Sequence, residues 1–391
     1  MRNVIIKKQI RFVKGIRFFC ALTAGLFLLS ACGKTATENS AGISAPTQSG
    51  AVESDFEYQF VAESENGYYF WERISPDRLN TRLLFMDRES GGVVPLCNRP
   101  DCNHEGLECN AYYPEINFHT AGVDKKYLQY YEGELYAVGL SEDAYVSVFR
   151  IKADGSEWEL STKLYRTDYA RTGHWKPPEL LINGGYVYFV DWYQTVKRLE
   201  RIPIGGGTSE IVFEGSPDAS AVDIYRFEIN AGSLSFQVIS YQDDSPENIV
   251  QELYCYDPET GQCSLTKNIG GSYSIWNDFV YYENSEGLCR YSMQDDTVEV
   301  LVDQPMNVPN ITLTKEYIIL CDQMADCVLN LYDYEGKKLT TVPNTLGMFW
   351  YFGGNSEILF GECRAEIGRK LCYLDLTRPL DELQWEELQA D

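Results

Sequence analysis

Residues 149–160 read FRIKADGSEWEL, and residues 199–212 read LERIPIGGGTSEIV. Each has the form of a short strand, a turn and a second strand. Apolar side chains alternate with charged ones, the period-2 pattern of a sheet with distinct faces. Asp154-Gly155 and Gly205-Gly206-Gly207 supply the residues that tight turns require. Two hairpins of one design, fifty residues apart, call for a search for further copies.

Seven copies are present. An apolar or aromatic run opens each: YYF (68–70), LYAV (135–138), VYFV (187–190), LSFQV (234–238), VYY (280–282), YIIL (317–320) and ILF (358–360). A hairpin follows in each, with turns such as Thr260-Gly261 and Glu335-Gly336, and a further short apolar run precedes most copies. The starts differ by 67, 52, 47, 46, 37 and 41 residues, and the 67 contains a cysteine-rich insertion of about 25. Four short strands per unit of about 40–50 residues mark an all-β fold, a β-propeller of four-stranded blades. Seven blades are expected, or six or eight if a terminal unit is split to close the ring. A β-sandwich would not explain the fixed period. The sparse helical signal is best in DELQWEELQAD (381–391).

The two quoted hairpins resemble the LYR(I/V)xxDGxxxxxL hairpins of TolB-like and YWTD-like propellers. The WD40 signature is missing, since Asp191-Trp192 runs in the reverse order.

The N-terminus reads as a secretory leader. MRNVIIKKQIRFVKGIRF carries six Lys or Arg and no acid, and FFCALTAGLFLLSA follows. That apolar run is short for a permanent span. Leu29-Ser30-Ala31-Cys32 resembles the bacterial lipobox, which implies a signal peptide over 1–31, cleavage before Cys32 and diacylglycerol on its sulfur; the basic leader is more like Gram-positive bacteria. Residues 33–53 are small and polar and cannot bury a core, so 32–53 reads as a lipidated cysteine and flexible tether with a reach of roughly 25 Å. The propeller is then 54–391. The expected place is the extracytoplasmic face of a cell membrane, held by acyl chains without a span.

The net charge is −25, and removing the leader with its six cations would leave −31. Nucleic acid is not an expected partner, because phosphate binding needs a cationic face. No EF-hand loop is present to turn the acidity into a calcium site.

Twelve cysteines are present. Cys20 would leave with the leader. Outside the cytoplasm disulfides are permitted, and three pairs flank expected hairpins: Cys255 with Cys263, Cys321 with Cys327, and Cys363 with Cys372. Cross-strand neighbours lie close enough for a bond after modest adjustment; the alternative is small buried apolar residues. Cys97, Cys102, Cys109 and Cys289 remain. PLCNRPDCNHEGLECNAYY (95–113) spaces its ligands C-x4-C-x-H-x4-C, at the head of the insertion 97–120. Cys97, Cys102, His104 and Cys109 form a complete tetrahedral zinc set in principle, though zinc knuckles begin C-x2-C. A disulfide or plain staple, with the third cysteine free or bonded to Cys289, is favoured over zinc, and zinc over redox chemistry. The stretch also resembles a CxxPxCxH…C segment of surface lipoproteins from Clostridia-like Firmicutes, matched at Cys97, Pro100, Cys102, His104 and Cys109. That resemblance implies no activity.

Catalytic motifs are few. There is no G-x-S-x-G elbow, no Asp-box, no P-loop and no dinucleotide fingerprint. His104-Glu105 does not continue to H-E-x-x-H. His119 and His174 read as surface or packing residues. A non-catalytic module binding protein or glycan is therefore expected, and a glycan- or peptide-active hydrolase on the same fold is the alternative. In a propeller the loops between second and third strands share a face with the inter-blade connections. The insertion, the loops ERISPDRLNTR, YQDDSPENI and RAEIGRK, and Trp71, Trp192, Tyr193 and Tyr241 are expected on that face, where exposed aromatics bind ligands. The alternative is that these aromatics pack the blade ends.

Overall fold

In the computed structural model Met1–Glu53 and Ser54–Asp391 are separate units. Described residues all lie in the second: 61–73, 80–104, 108–114, 122–167, 179–216, 221–241, 249–304, 310–322, 328–346, 348–354, 357–364 and 369–388.

Every regular element among them is a strand, and the strands form seven antiparallel sheets. The first blade holds β1 (Val61–Glu63), β2 (Gly67–Arg73), β3 (Asn80–Asp87) and an outer strand in two pieces, β4 (Val93–Pro95) and β5 (Tyr112–Pro114). The second holds β6 (Gly122–Tyr131), β7 (Glu134–Leu140), β8 (Tyr145–Lys152) and β9 (Trp158–Arg166). The third holds β10 (Leu180–Asn183), β11 (Tyr186–Val190), β12 (Arg198–Pro203) and β13 (Glu210–Glu214). The fourth holds β14 (Ala221–Asn230), β15 (Ser233–Tyr241), β16 (Ile249–Asp257) and β17 (Gln262–Asn268). The fifth holds β18 (Tyr273–Trp276), β19 (Phe279–Asn284), β20 (Gly287–Ser292) and β21 (Thr297–Val302). The sixth holds β22 (Asn310–Leu313), β23 (Ile318–Asp322), β24 (Val328–Tyr332) and β25 (Lys338–Val342). The seventh holds β26 (Met348–Gly354), β27 (Ile358–Arg364), β28 (Arg369–Asp375) and β29 (Glu386–Glu387). The protein is a seven-bladed β-propeller, with the strands of each blade consecutive in sequence and, among the described residues, no strand exchanged to close the ring.

The second strand of each blade explains the continuous apolar runs. Side chains alternate between the two faces of a strand, and each blade face meets a neighbouring blade. In β7, Leu135 and Ala137 pack toward the first blade while Tyr136 and Val138 pack toward the third. In β11, Val187 and Phe189 face the second blade, and Tyr188 and Val190 face the fourth. Seven separate apolar clusters result, one at each junction between neighbouring blades. The seventh joins last to first: Phe360 of β27 lies with Tyr68, Phe70, Leu84 and Met86, its ring centroid 5.4 Å from Tyr68 and 6.3 Å from Phe70. Arg88 spans the same junction, paired with Glu357 and Glu63 and lying over the Tyr68 ring.

The outer strands carry exposed apolar residues such as Ile211, Leu265 and Val298. Ion pairs across third and fourth strands accompany them: Arg150 with Glu159, Arg201 with Glu210, and Arg290 with Glu299, each directly opposite in register. Charge along an unpaired sheet edge discourages edge-to-edge association.

The C-terminal segment corrects the helical expectation. Leu383 and Trp385 are buried in the cluster between blades six and seven, and Glu386 pairs with Tyr373 as the short fourth strand. Arg378 and the Tyr373 hydroxyl hold the Glu386 carboxyl below its usual range. A carboxyl whose pKa is lowered by folding contributes stability above its unfolded value, and that stability is lost as pH falls through the lowered folded value. With partial exposure and solvent screening the contribution is about 0.5–1 kcal/mol. Urea melts from neutral pH into acid are expected to show a shallower loss of stability for Glu386→Gln than for the parent protein; equal slopes would refute this.

Candidate metal centre

The cysteine-rich stretch does not follow the outer strand of the first blade; it interrupts it. β4 pairs with Leu84–Met86 of β3 and β5 with Asn80–Arg82, so the two pieces are one antiparallel strand with a loop between them. Leu83 closes the loop: its N–H donates to the Ala111 carbonyl at 2.8 Å, and its carbonyl accepts from Leu96 N–H at 2.9 Å. The expectation that this stretch sits on the inter-blade-connection face is corrected. The loop leaves the outer edge of the blade and packs on the turn between β8 and β9, at the other end of the blades from the β7–β8 loop. Gly155 of that turn lies directly against the Leu96 carbonyl. Tyr113, buried at the downstream foot, meets Trp71 and Trp158 edge-on, each at 5.3 Å. Glu108, Cys109, Tyr113, Gly155 and Trp158 line a recess of about 170 Å³ there.

Within the loop, the Sγ atoms of Cys97, Cys102 and Cys109 and a ring nitrogen of His104 all lie within 4.8 Å of one another. Cys109 Sγ is 3.6 Å from His104 Nδ1. His104 holds φ at +56°, a left-handed conformation that histidine tolerates better than most residues. Ala111 N–H points at Cys109 Sγ from 3.4 Å. Burial raises the Cys97 thiol, but hydrogen bonds from Arg99 and Asn110 N–H and the neighbouring thiols outweigh it and leave Cys97 below its ordinary value. Burial dominates at Cys109, pushed up to about 12 despite the Ala111 N–H. The Arg99 guanidinium donates to the Glu108 carbonyl, and Asn110 Nδ2 to Asn98 Oδ1 at 3.0 Å, tying the loop across itself.

No disulfide joins any two of the nine described cysteines. Cys289 is buried between blades four and five, where its Sγ meets Asn284 Oδ1 at 3.5 Å, so a bond to the cysteine loop is ruled out. Cys255 and Cys263 are not cross-strand neighbours. Asp257 pairs with Gln262 across a four-residue turn, so Cys255 opposes Ser264 and Cys263 opposes Tyr256. Their side chains therefore leave opposite faces of the blade, and the expected disulfide fails on register. Cys363 opposes Lys370 and Cys372 opposes Gly361. These two share a face diagonally, in thiol-to-thiol contact and fully buried. Cys321 is buried in the same cluster, and Cys327 lies outside the described residues.

Of the four aromatics expected to rim a ligand face, Trp71 is core: it is buried and its Nε1 donates to the Tyr127 carbonyl at 3.5 Å. Trp192 packs against the cluster between blades three and four, and Tyr241 is half-buried. Tyr193 is 41% exposed and stays accessible. His119, His174, Cys32, Cys20 and the centres of the three long loops lie outside the described residues.

The sequence matches no known protein family and no curated protein. Solved structures do resemble it. A prolyl endopeptidase superimposes with a TM-score of 0.53 at 12% identity, over 85% of this chain and 50% of its own. BamB from Moraxella catarrhalis gives 0.41 at 12% identity over 78% and 81%, and a chain of a nidogen/laminin complex gives 0.39 at 11% over 68% and 90%. At such identities the likeness is one of fold, and this chain spans about half the length of the endopeptidase.

Proposed function

We propose that the chain is a lipid-anchored protein of the extracytoplasmic face of a cell membrane, whose propeller binds a protein or glycan ligand without catalysis. The observation that carries this reading is a seven-blade ring following a stretch that resembles a lipobox: Leu29-Ser30-Ala31-Cys32 stands behind a basic and apolar run, and the polar segment 33–53 separates it from the blades. Propellers host many functions, so the ring supports display of a binding surface and not a particular ligand. The likeness to a prolyl endopeptidase does not favour peptide hydrolysis, because the sequence contains no G-x-S-x-G.

Two measurements test the reading. Metabolic labelling with an alkyne fatty acid is expected to mark the parent protein in the membrane fraction and to miss Cys32→Ser; equal labelling of both would overturn the anchor. The full chain in detergent, applied to glycan and peptide arrays, is expected to give saturable binding that Tyr193→Ala weakens. Specific turnover of a peptide or glycoside would replace binding with catalysis.

A further inference from the structure

We propose that Cys97, Cys102, His104 and Cys109 hold a structural zinc ion that fastens the interrupted outer strand of the first blade. Zinc bonds of about 2.3 Å to sulfur and about 2.0–2.1 Å to nitrogen, at tetrahedral angles, place sulfur and nitrogen about 3.6 Å apart and two sulfurs about 3.8 Å apart. Cys109 Sγ and His104 Nδ1 stand 3.6 Å apart, and all four ligand atoms fit within 4.8 Å. Four protein donors fill the tetrahedron and leave no open position, the mark of a structural and not a catalytic site. Cys109 Sγ also accepts the N–H of Ala111, two positions on, at 3.4 Å, which fixes the direction of that sulfur within the group. A disulfide explains less. It would join two sulfurs at about 2.05 Å and leave the third cysteine and the imidazole without a role, whereas the chain gathers all four. Binding M²⁺ with loss of three thiol protons gives a site of charge −1, with Arg99 in the same loop.

The ion completes a circuit that the backbone leaves open. Leu83 ties the feet of the loop, and the metal ties its tip. The loop then presents a fixed surface to the Gly155 turn of the second blade. This site is independent of the lipid anchor and of any ligand of the propeller.

The test uses the full chain without a polyhistidine tag, purified in detergent under reducing conditions. Elemental analysis is expected to find about one zinc per chain after dialysis. Replacement with Co²⁺ is expected to give the near-ultraviolet sulfur-to-cobalt band and the strong visible bands of a tetrahedral thiolate site. Cys102→Ser and His104→Ala are expected to lower retained metal about tenfold or more, and Cys289→Ser to leave it unchanged. If the variants fail to fold, the cobalt spectrum of the parent protein decides alone. Absence of stoichiometric metal after zinc loading, an octahedral cobalt spectrum, or a disulfide within Cys97, Cys102 and Cys109 in zinc-replete protein would each overturn the proposal.

Discussion

Phe360→Ala is expected to lower the unfolding free energy by about 3–5 kcal/mol, the usual cost of removing a buried aromatic ring. Phe360 is 1% exposed and stands at the one junction where blades distant in sequence must meet. Among the described residues strand exchange does not reinforce that junction, since β26 to β29 are consecutive and the first blade supplies its own four strands. Among the described residues, side-chain packing, the Arg88 ion pairs and a Tyr68 hydroxyl contact to Glu357 hold it. Urea unfolding followed by tryptophan fluorescence measures the change. Phe213→Ala, which removes a partly buried ring from an ordinary junction, is expected to cost less. A loss under about 1 kcal/mol for Phe360→Ala would show that this junction does not hold the ring closed.

Gly155→Ala is expected to cost about 2–3 kcal/mol and to disturb the cysteine loop as well. Gly155 holds φ at +70°, and a Cβ there would stand 2.2 Å from the Leu96 carbonyl oxygen, a backbone atom that cannot turn aside. Gly133→Ala is the matched control: φ is +87° but nothing lies within 4 Å of the added carbon. That variant is expected to carry the conformational cost alone, about 1–2 kcal/mol. The cobalt spectrum of the metal-loaded chain should change with Gly155→Ala and not with Gly133→Ala. Identical melts for the two variants would show that the turn does not bear on Leu96.

The blades were legible because propeller strands bury both faces and turn on glycine and aspartate, so aromatic runs and turns recur at a steady interval. Blade number followed from counting second strands, the longest apolar runs. That Cys97, Cys102, His104 and Cys109 gather in one place was legible too, from their close spacing in the sequence. Its location was not. VVP and YYP are each too short to read as strands, and only their pairing with opposite halves of β3 shows them to be one strand. The Cys255–Cys263 expectation failed where turn length sets the register. A four-residue turn between Asp257 and Gln262 puts Cys255 and Cys263 one step out of line, and one step reverses the face. Trp71 misled for a related reason, since the end of a second strand in a propeller is still between two blades. The ion pairs Arg150–Glu159, Arg201–Glu210 and Arg290–Glu299 repeat a nine-residue interval that was present in the sequence. Charged residues on outer strands leave no hydrophobic period to reveal it.

Blades built from consecutive strands also set an order of events. As the chain emerges N-terminus first, each blade has its four strands in hand before the next begins, and six junctions form between sequence neighbours. The seventh waits for residues near Phe360 to find residues near Phe70, 290 positions earlier. The entropy of that encounter grows only as the logarithm of the separation, but until it happens the molecule is an open arc with two sticky ends. One end shows Tyr68, Phe70, Leu84 and Met86, and the other shows Ile358, Phe360 and Tyr373. Two such arcs can join end to end as readily as one can bend round on itself, so crowding of nascent copies favours chains of molecules over rings.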